Sequence, residues 1–295
     1  MNTEKWLKLN AASLEGKTVA ITGSTGGLGK EICRSLASLG ASLILLDRNI
    51  ERSTAWKNEL SERYGISVRC ITLDLEDVAA LGKVADELLA SELDIFIHNA
   101  GAYSIPRHKC KSGYDNVFQI NFASPYFLIS RLLPMLEERG GRVVAVGSIA
   151  HGYSRTDPDD IDFSNRGAAS KVYGNAKRYL MFSLISLFEK CERATLSITH
   201  PGITFTNITA HYPKLIYAII KHPMKLIFMK PRTAALSIIK GVFEPCFGRE
   251  WIGPSIFGIW GLPKKSRLKS VKDEEYAFIA KTAGEVYRRV EGSIN

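Results

Sequence analysis

Six short apolar runs, each followed by a longer stretch with helical spacing, constrain this chain more than any other feature. They fall at 17–22 (KTVAIT), 42–47 (SLILLD), 67–74 (SVRCITLD), 93–99 (LDIFIHN), 142–148 (RVVAVGS) and 195–201 (TLSITHP). Most are rich in Val and Ile and show little polar alternation, the pattern of strands buried on both faces. The intervening segments read as helices. In GLGKEICRSLASLG (27–40), for example, Leu28, Ile32, Leu36 and Leu39 share one face. Alternation sustained this far predicts an α/β fold with a doubly wound parallel sheet and helices on both faces.

With 295 residues, 45% hydrophobic and 23% charged, the chain has the length and composition for one large domain with a sizeable core. We expect an N-terminal extension over 1–15, a single domain over 16–295, an irregular excursion over about 204–230 and a C-terminal tail over about 262–295. The net charge of +9 is spread along the chain, densest in KHPMKLIFMKPR and PKKSRLKSVK. Neither patch interleaves base-stacking aromatics or forms a nucleic-acid module, so nucleic acid is not an expected partner. Five scattered cysteines without a CxxC argue against a disulfide framework or a zinc site and suit a reducing compartment. The polar start MNTEKWLKLNAASLEGK is unlike a signal peptide, and no apolar run approaches the ~18 residues of a spanning helix. The expectation is a cytoplasmic protein.

The first strand runs into TGSTGGLG (22–29) and then into the first helix. Glycines 23, 27 and 29 permit a tight turn and close approach of backbone N–H groups to a diphosphate, beside a helix start that favours negative charge. Ser24, Thr25 and Leu28 complete this candidate cofactor turn. The second strand ends in Asp47, about twenty residues beyond the turn, where a carboxylate can accept bonds from adenosine ribose hydroxyls. That favours NAD(H). The adjacent Arg48 admits NADP(H), since a guanidinium can bind a 2′-phosphate.

Together these motifs resemble the short-chain dehydrogenase/reductase family, which has a single Rossmann domain. TGSTGGLG is similar to its TGxxxGxG turn, and HNAG (98–101) to its NNAG, implying cofactor contacts at Asn99, Ala100 and Gly101. Asp74 and Leu75 stand where the family's adenine-contacting aspartate lies. QINFASPYFL resembles the helix bearing the family's asparagine, here Asn121; VAVGSIAH carries the matching serine, Ser148; and YGNAK is the YxxxK pair, Tyr173 and Lys177. HPGITFT (200–206) resembles the PGxxxT that closes over nicotinamide, implying contacts at Pro201, Gly202 and Thr206. The matches are collinear from Gly16 to Thr206, with weaker similarity through KPRTAALSIIKGV.

A second pair with the same spacing, Tyr217 and Lys221, lies past the last of these motifs and reads as structural. Tyr173 and Lys177 lie one helical turn apart, so both project from one face. The resemblance implies that Tyr173 passes a proton while a hydride moves between a carbinol carbon and nicotinamide. A free tyrosine has a pKa near ~10, and a neighbouring ammonium is expected to lower it. Lys177 would supply that charge and also bind ribose, Tyr173 itself would border the cofactor, Ser148 would hydrogen-bond the substrate oxygen, and Asn121 would hold a relay water. His98, His151 and His200 share no ligand spacing, so no metal is expected.

The IAH…IDF pattern between Ser148 and Tyr173 resembles the retinol-dehydrogenase-like branch, which implies a lipophilic alcohol or ketone, such as a hydroxysteroid or bile acid. The excursion at 204–230 reads as a substrate lid, with Leu215, Ile219, Leu226 and Phe228 covering the pocket. Its lysines also suit peripheral membrane contact. A homo-oligomer is compatible with all of this. Retention of Asn121, Ser148, Tyr173 and Lys177 together favours an enzyme over a dinucleotide-sensing regulator.

Overall fold

Each expected strand forms, because residues on both of its faces find a core. The computed structural model describes residues 3–203, 228–269 and 271–294. Strands β1 (Thr18–Thr22), β2 (Ser42–Asp47), β3 (Val68–Thr72), β4 (Ile95–His98), β5 (Arg142–Val146) and β6 (Thr195–Thr199) are joined by β7 (Glu250–Ile256) and β8 (Trp260–Arg267). The sheet order is β3-β2-β1-β4-β5-β6-β7-β8. All pairings from β3 to β7 are parallel, as expected of a doubly wound sheet, and β8 closes the edge antiparallel to β7.

Helices α1 (Thr3–Asn10), α2 (Gly27–Ser38), α3 (Ile50–Tyr64) and α8 (Pro231–Phe243) cover one face of the sheet. Helices α4 (Val78–Leu89), α6 (Ser124–Arg139), α7 (Ala169–Phe188) and α9 (Asp273–Glu291) cover the other, with a short α5 (Asn116–Phe118) leading into α6. In β1, Val19 and Ile21 enter the first core while Ala20 enters the second. Pleating divides one apolar run between two cores, which is why no polar alternation appears. In α2, Ile32 and Leu36 are fully buried, with Leu28 and Leu39 packed at the margin.

The described parts of the N-terminal extension and of the C-terminal tail both pack on the core. The N-terminal extension forms α1 and buries Trp6. The expected tail supplies the rest of the sheet edge and a 19-residue helix, α9, which buries Ile279, Ala283, Val286 and Val290. Burying each large apolar side chain is worth about 1.5–3 kcal/mol, so this segment belongs to the core. Pro254 of β7 pairs with Pro263 of β8, and Lys264, Lys265 and Arg267 line the edge strand. Charge and proline on an outer strand discourage pairing with another sheet, which accounts for the PKKSR patch without a ligand. The excursion leaves after Ile203 and returns at Met229, whose N–H donates to the Ile203 carbonyl at 2.9 Å. Thr206, Leu215, Tyr217, Ile219, Lys221 and Leu226 lie outside the described residues.

Candidate active site

The candidate residues collect at the carboxyl ends of the strands, where the order reverses between β1 and β4; such a crevice is where open α/β sheets bind ligands. The glycine turn is shaped by contacts that exclude side chains. Gly23 has φ 69°, and a Cβ there would meet Ala100 Cα at 3.1 Å, while a Cβ on Gly29 would overlap the Gly23 carbonyl oxygen. Side-chain caps close α3 and α4, through Asn49 and Asp77. At α2 the N-cap is Gly26, with no capping side chain. Its first N–H groups therefore remain available to an anion.

Asp47 is 4% exposed. Its carboxylate accepts Ser24 Oγ at 2.5 Å, Thr25 N at 3.1 Å, Thr25 Oγ1 at 3.0 Å and Ser53 Oγ at 3.0 Å. These donors occupy the roughly four acceptor positions a carboxylate offers. In this state Asp47 orders the glycine turn rather than presenting free lone pairs to a ribose, as the sequence had suggested. Arg48 beside it is exposed.

Thr22 organises the HNAG turn. Its Oγ1 accepts Asn99 N and Ala100 N, each at 3.0 Å, so its hydroxyl proton is free to donate to His98 Nδ1 at 3.2 Å. Burial, and secondarily Lys177, pushes the His98 pKa far down, so its ring is neutral. Asn99 Nδ2 donates to the Thr22 and Gly23 carbonyls, while Asn99 Oδ1 is buried with no partner. Asp74 folds onto its own turn, accepting Glu76 N at 3.0 Å, and the Leu75 carbonyl is held by Ser124 Oγ at 2.5 Å.

Asn121 lies in a π-helical turn, Gln119–Ala123, between α5 and α6. Such single turns recur at functional sites because they rotate a side chain out of helical register. Asn121 Nδ2 donates to the Ala102 and Val117 carbonyls, both at 2.8 Å, and Oδ1 accepts Ala102 N at 3.3 Å. A Cβ on Gly101 would meet Asn121 Oδ1 at 2.8 Å and Lys177 Nζ at 3.6 Å, so the three positions converge.

On α7, Lys177 Nζ lies 5.7 Å from the centre of the Tyr173 ring and donates to the Val146 carbonyl at 2.9 Å. Lys177 is 2% exposed, and burial lowers its pKa to about 7. Tyr173 moves the other way, pushed up to about 12 by burial; hydrogen bonding with Ser148 opposes the rise and the nearby Tyr103 adds to it. Burial thus moves the tyrosine opposite to the lowering expected from Lys177. Ser148 follows β5, and its Oγ accepts Ala150 N at 3.2 Å.

The surroundings of the Tyr173 ring include an apolar cluster. Tyr103 packs edge-on against the ring, with ring centres 5.4 Å apart, and Phe163, Val117, Val172 and Ile105 cluster beside it. Phe163 has φ 55°, an uncommon conformation for a bulky residue and a form of strain found at ligand sites. His151 and His200 flank Trp251, with His200 stacked on it at 4.0 Å, while His98 sits apart in the HNAG turn. Among the described residues, the His, Cys and acidic side chains closest to metal-ligand geometry are Glu76, His108 and Cys110. There Asn116 Nδ2 sits 3.1 Å from His108 Nδ1, which directs the Nε2 proton toward Glu76 rather than freeing Nε2 for a metal.

Residues 17–157 match the short chain dehydrogenase family. An uncharacterized oxidoreductase of Schizosaccharomyces pombe is 29% identical over 277 residues, covering 87% of this chain and 81% of that protein. Retinol dehydrogenase 12 of Mus musculus is 30% identical over 202 residues, 66% of this chain and 64% of that protein, so this match spans less than two thirds of the relative. The chain belongs to the short-chain dehydrogenase/reductase family. A crystal structure of an uncharacterized protein from Mycobacterium paratuberculosis superposes with a TM-score of 0.73 at 23% identity, covering 96% of this chain and 95% of that one, and so shares the fold. As a member of this family, the chain is an alcohol dehydrogenase-type oxidoreductase. The uncapped α2, the cradle around Gly23 and Gly29, and the unpartnered Asn99 oxygen fit a nicotinamide dinucleotide.

Sequence reasoning missed Tyr103 and Phe163, which no periodic pattern marks. It also missed Gly174, where a Cβ would overlap the Ala150 carbonyl oxygen, although the glycine is visible inside YGNAK.

Proposed function

We propose that this protein interconverts a secondary alcohol and a ketone on a lipophilic substrate of hydroxysteroid or bile-acid size, with NAD(H) preferred to NADP(H). The observation that carries this reading is the partly exposed apolar pair Tyr103 and Ile105 beside Tyr173, with Tyr103 edge-on to its ring and the buried Val117, Phe163 and Val172 packed behind. Burial of apolar substrate surface there is worth about 25 cal/mol per Å². When bound, the dinucleotide accepts or supplies the hydride. Tyr173 takes the carbinol proton in oxidation and returns it in reduction. Ser148 hydrogen-bonds the same oxygen as its charge changes. Lys177 holds positive charge beside the phenol when protonated, and Asn121 fixes the Ala102 loop and orders a relay water. Gly23, Ser24, Thr25, Gly27, Leu28 and Gly29 would cradle the diphosphate, and Asn99, Ala100 and Gly101 would border the ribose. Asp74 and Leu75 would border the adenine, with Pro201, Gly202 and Thr206 over the nicotinamide. Asp47 supports the NAD(H) preference by placing a carboxylate near the site of a 2′-phosphate, and Arg48 is the residue through which NADP(H) could bind. The 204–230 segment acts as a lid in this reading, since its pinned ends at Ile203 and Met229 border the Pro201–Gly202 corner. The scattered free cysteines suit a cytoplasmic enzyme.

The test is cofactor reduction with cyclohexanol, 2-decanol and cholic acid as substrates. Turnover rising with apolar bulk supports the reading. No turnover on any of the three, or a preference for cyclohexanol, would overturn it.

A further inference from the structure

Arg178 follows the catalytic-type lysine on α7 and is 8% exposed, an unusual place for a guanidinium. Its Nε and Nη2 donate to the two carboxylate oxygens of Glu275, each at 2.7 Å. Its Nη1 donates to the His151 carbonyl at 3.2 Å. Glu275, from the first turn of α9, also accepts Thr156 N and Thr156 Oγ1, both at 3.1 Å. The His151 ring in turn hydrogen-bonds the Ser148 carbonyl through Nδ1 at 2.7 Å. Burial lowers the His151 pKa, so the neutral ring donates from Nδ1. The turn from Ser148 to Thr156 is therefore held from α9 by Glu275 through Arg178. It is also pressed against α7, where only a glycine fits at 174.

We propose that Glu275 and Arg178 are positioning residues for the reaction: the bidentate pair fixes the 149–156 turn against α7 and thereby sets Ser148 relative to Tyr173. This rests on the assignment of Ser148 and Tyr173 as the proton-handling pair. Geometry requires an arginine at 178. One planar fork reaches both carboxylate oxygens and the His151 carbonyl together, which an ammonium does not do. Burial raises the Glu275 carboxyl, but the bonds from Arg178 and Thr156 outweigh it and leave its pKa below the usual range, so the pair stays charged. Among the described residues, titratable groups acting on this cluster include Lys269 and His200 at His151, and Tyr179, which feels the Glu275 charge.

The experiment compares wild type with Glu275→Gln, Arg178→Lys, Ser148→Ala and the Glu275→Gln/Ser148→Ala double variant. Amide hydrogen exchange on the full chain reads the turn directly. We expect Ala150 and His151 to exchange about tenfold faster or more in Glu275→Gln and Arg178→Lys, with β1 and β4 amides unchanged. With 2-decanol as the probe, Glu275→Gln should lower kcat roughly 10- to 100-fold at unchanged cofactor Kd, since small misplacements of reacting groups carry costs of that order. In the Ser148→Ala background the same substitution should have almost no further effect on kcat, an outcome that a general loss of stability would not give. Unchanged exchange at Ala150 and His151, or a kcat loss that multiplies in full with Ser148→Ala, overturns the proposal. If Ser148→Ala alone leaves kcat intact, the proton-handling assignment fails while the exchange result still decides whether Glu275 holds the turn.

Discussion

Lys177 gives the sharpest test of how this site is built, because its contribution to stability should oppose its contribution to activity. The ammonium is 2% exposed and its pKa falls from 10.5 to about 7 through burial. The folded state thus binds fewer protons than the unfolded chain between about pH 7 and pH 10.5. Stability then rises with pH across that window, and the full penalty applies below pH 7. The difference between these two values corresponds to about 4–5 kcal/mol. Lys177→Met removes this penalty but leaves the Val146 carbonyl without its donor, which costs about 1–3 kcal/mol. The cofactor-free variant should therefore be more stable than wild type by about 2 kcal/mol at pH 6–7, with no turnover. As pH rises toward 10 the wild-type penalty fades while the lost hydrogen bond remains. The difference should shrink and change sign at roughly pH 9. Urea unfolding of both proteins from pH 6 to pH 10 measures it. A variant less stable at pH 6, or a difference that does not move with pH, would refute the claim that burial dominates this lysine.

Tyr173→Phe should abolish nearly all turnover with cofactor binding retained, as only the acidic hydroxyl is lost, and Tyr217→Phe should keep most activity; equal behaviour would remove the distinction between the pairs. Titration with both dinucleotides should show tighter NAD(H) binding, and a clear NADP(H) preference that Arg48→Ala abolishes would reverse the cofactor assignment. Gly174→Ala should push the 149–153 turn off α7 and lower both kcat and the melting temperature, although alanine at a mid-helix position is otherwise favoured by up to ~1 kcal/mol. Kinetics and a melting curve on the same sample check this.

How far the sequence was legible depended on whether the physics was local. The six runs were readable because two-faced burial leaves a local signature, and the turn at 22–29 because Gly29 is required by a contact within the turn itself, whereas the need for Gly23 comes from Ala100 on the neighbouring turn. β7 was unreadable because Pro254 argues against a strand, and only its position opposite Pro263 near the edge makes it tolerable. α9 is a different case. Tyr276, Ile279, Ala283, Val286 and Val290 recur at helical spacing, so the signal was present, but nothing in the helix itself says that it reaches the site. Its reach depends on Glu275 meeting Arg178 across 97 residues of sequence. The same reasoning applies to Asp47. Its place at the end of β2 was legible, but the four donors that occupy it come from Ser24, Thr25 and Ser53, and only the folded turn brings them together. A dinucleotide must therefore bind against an acid that already has partners. Any NAD(H) preference then depends on how readily the Ser24 and Thr25 hydroxyls turn away, as well as on the presence of the charge.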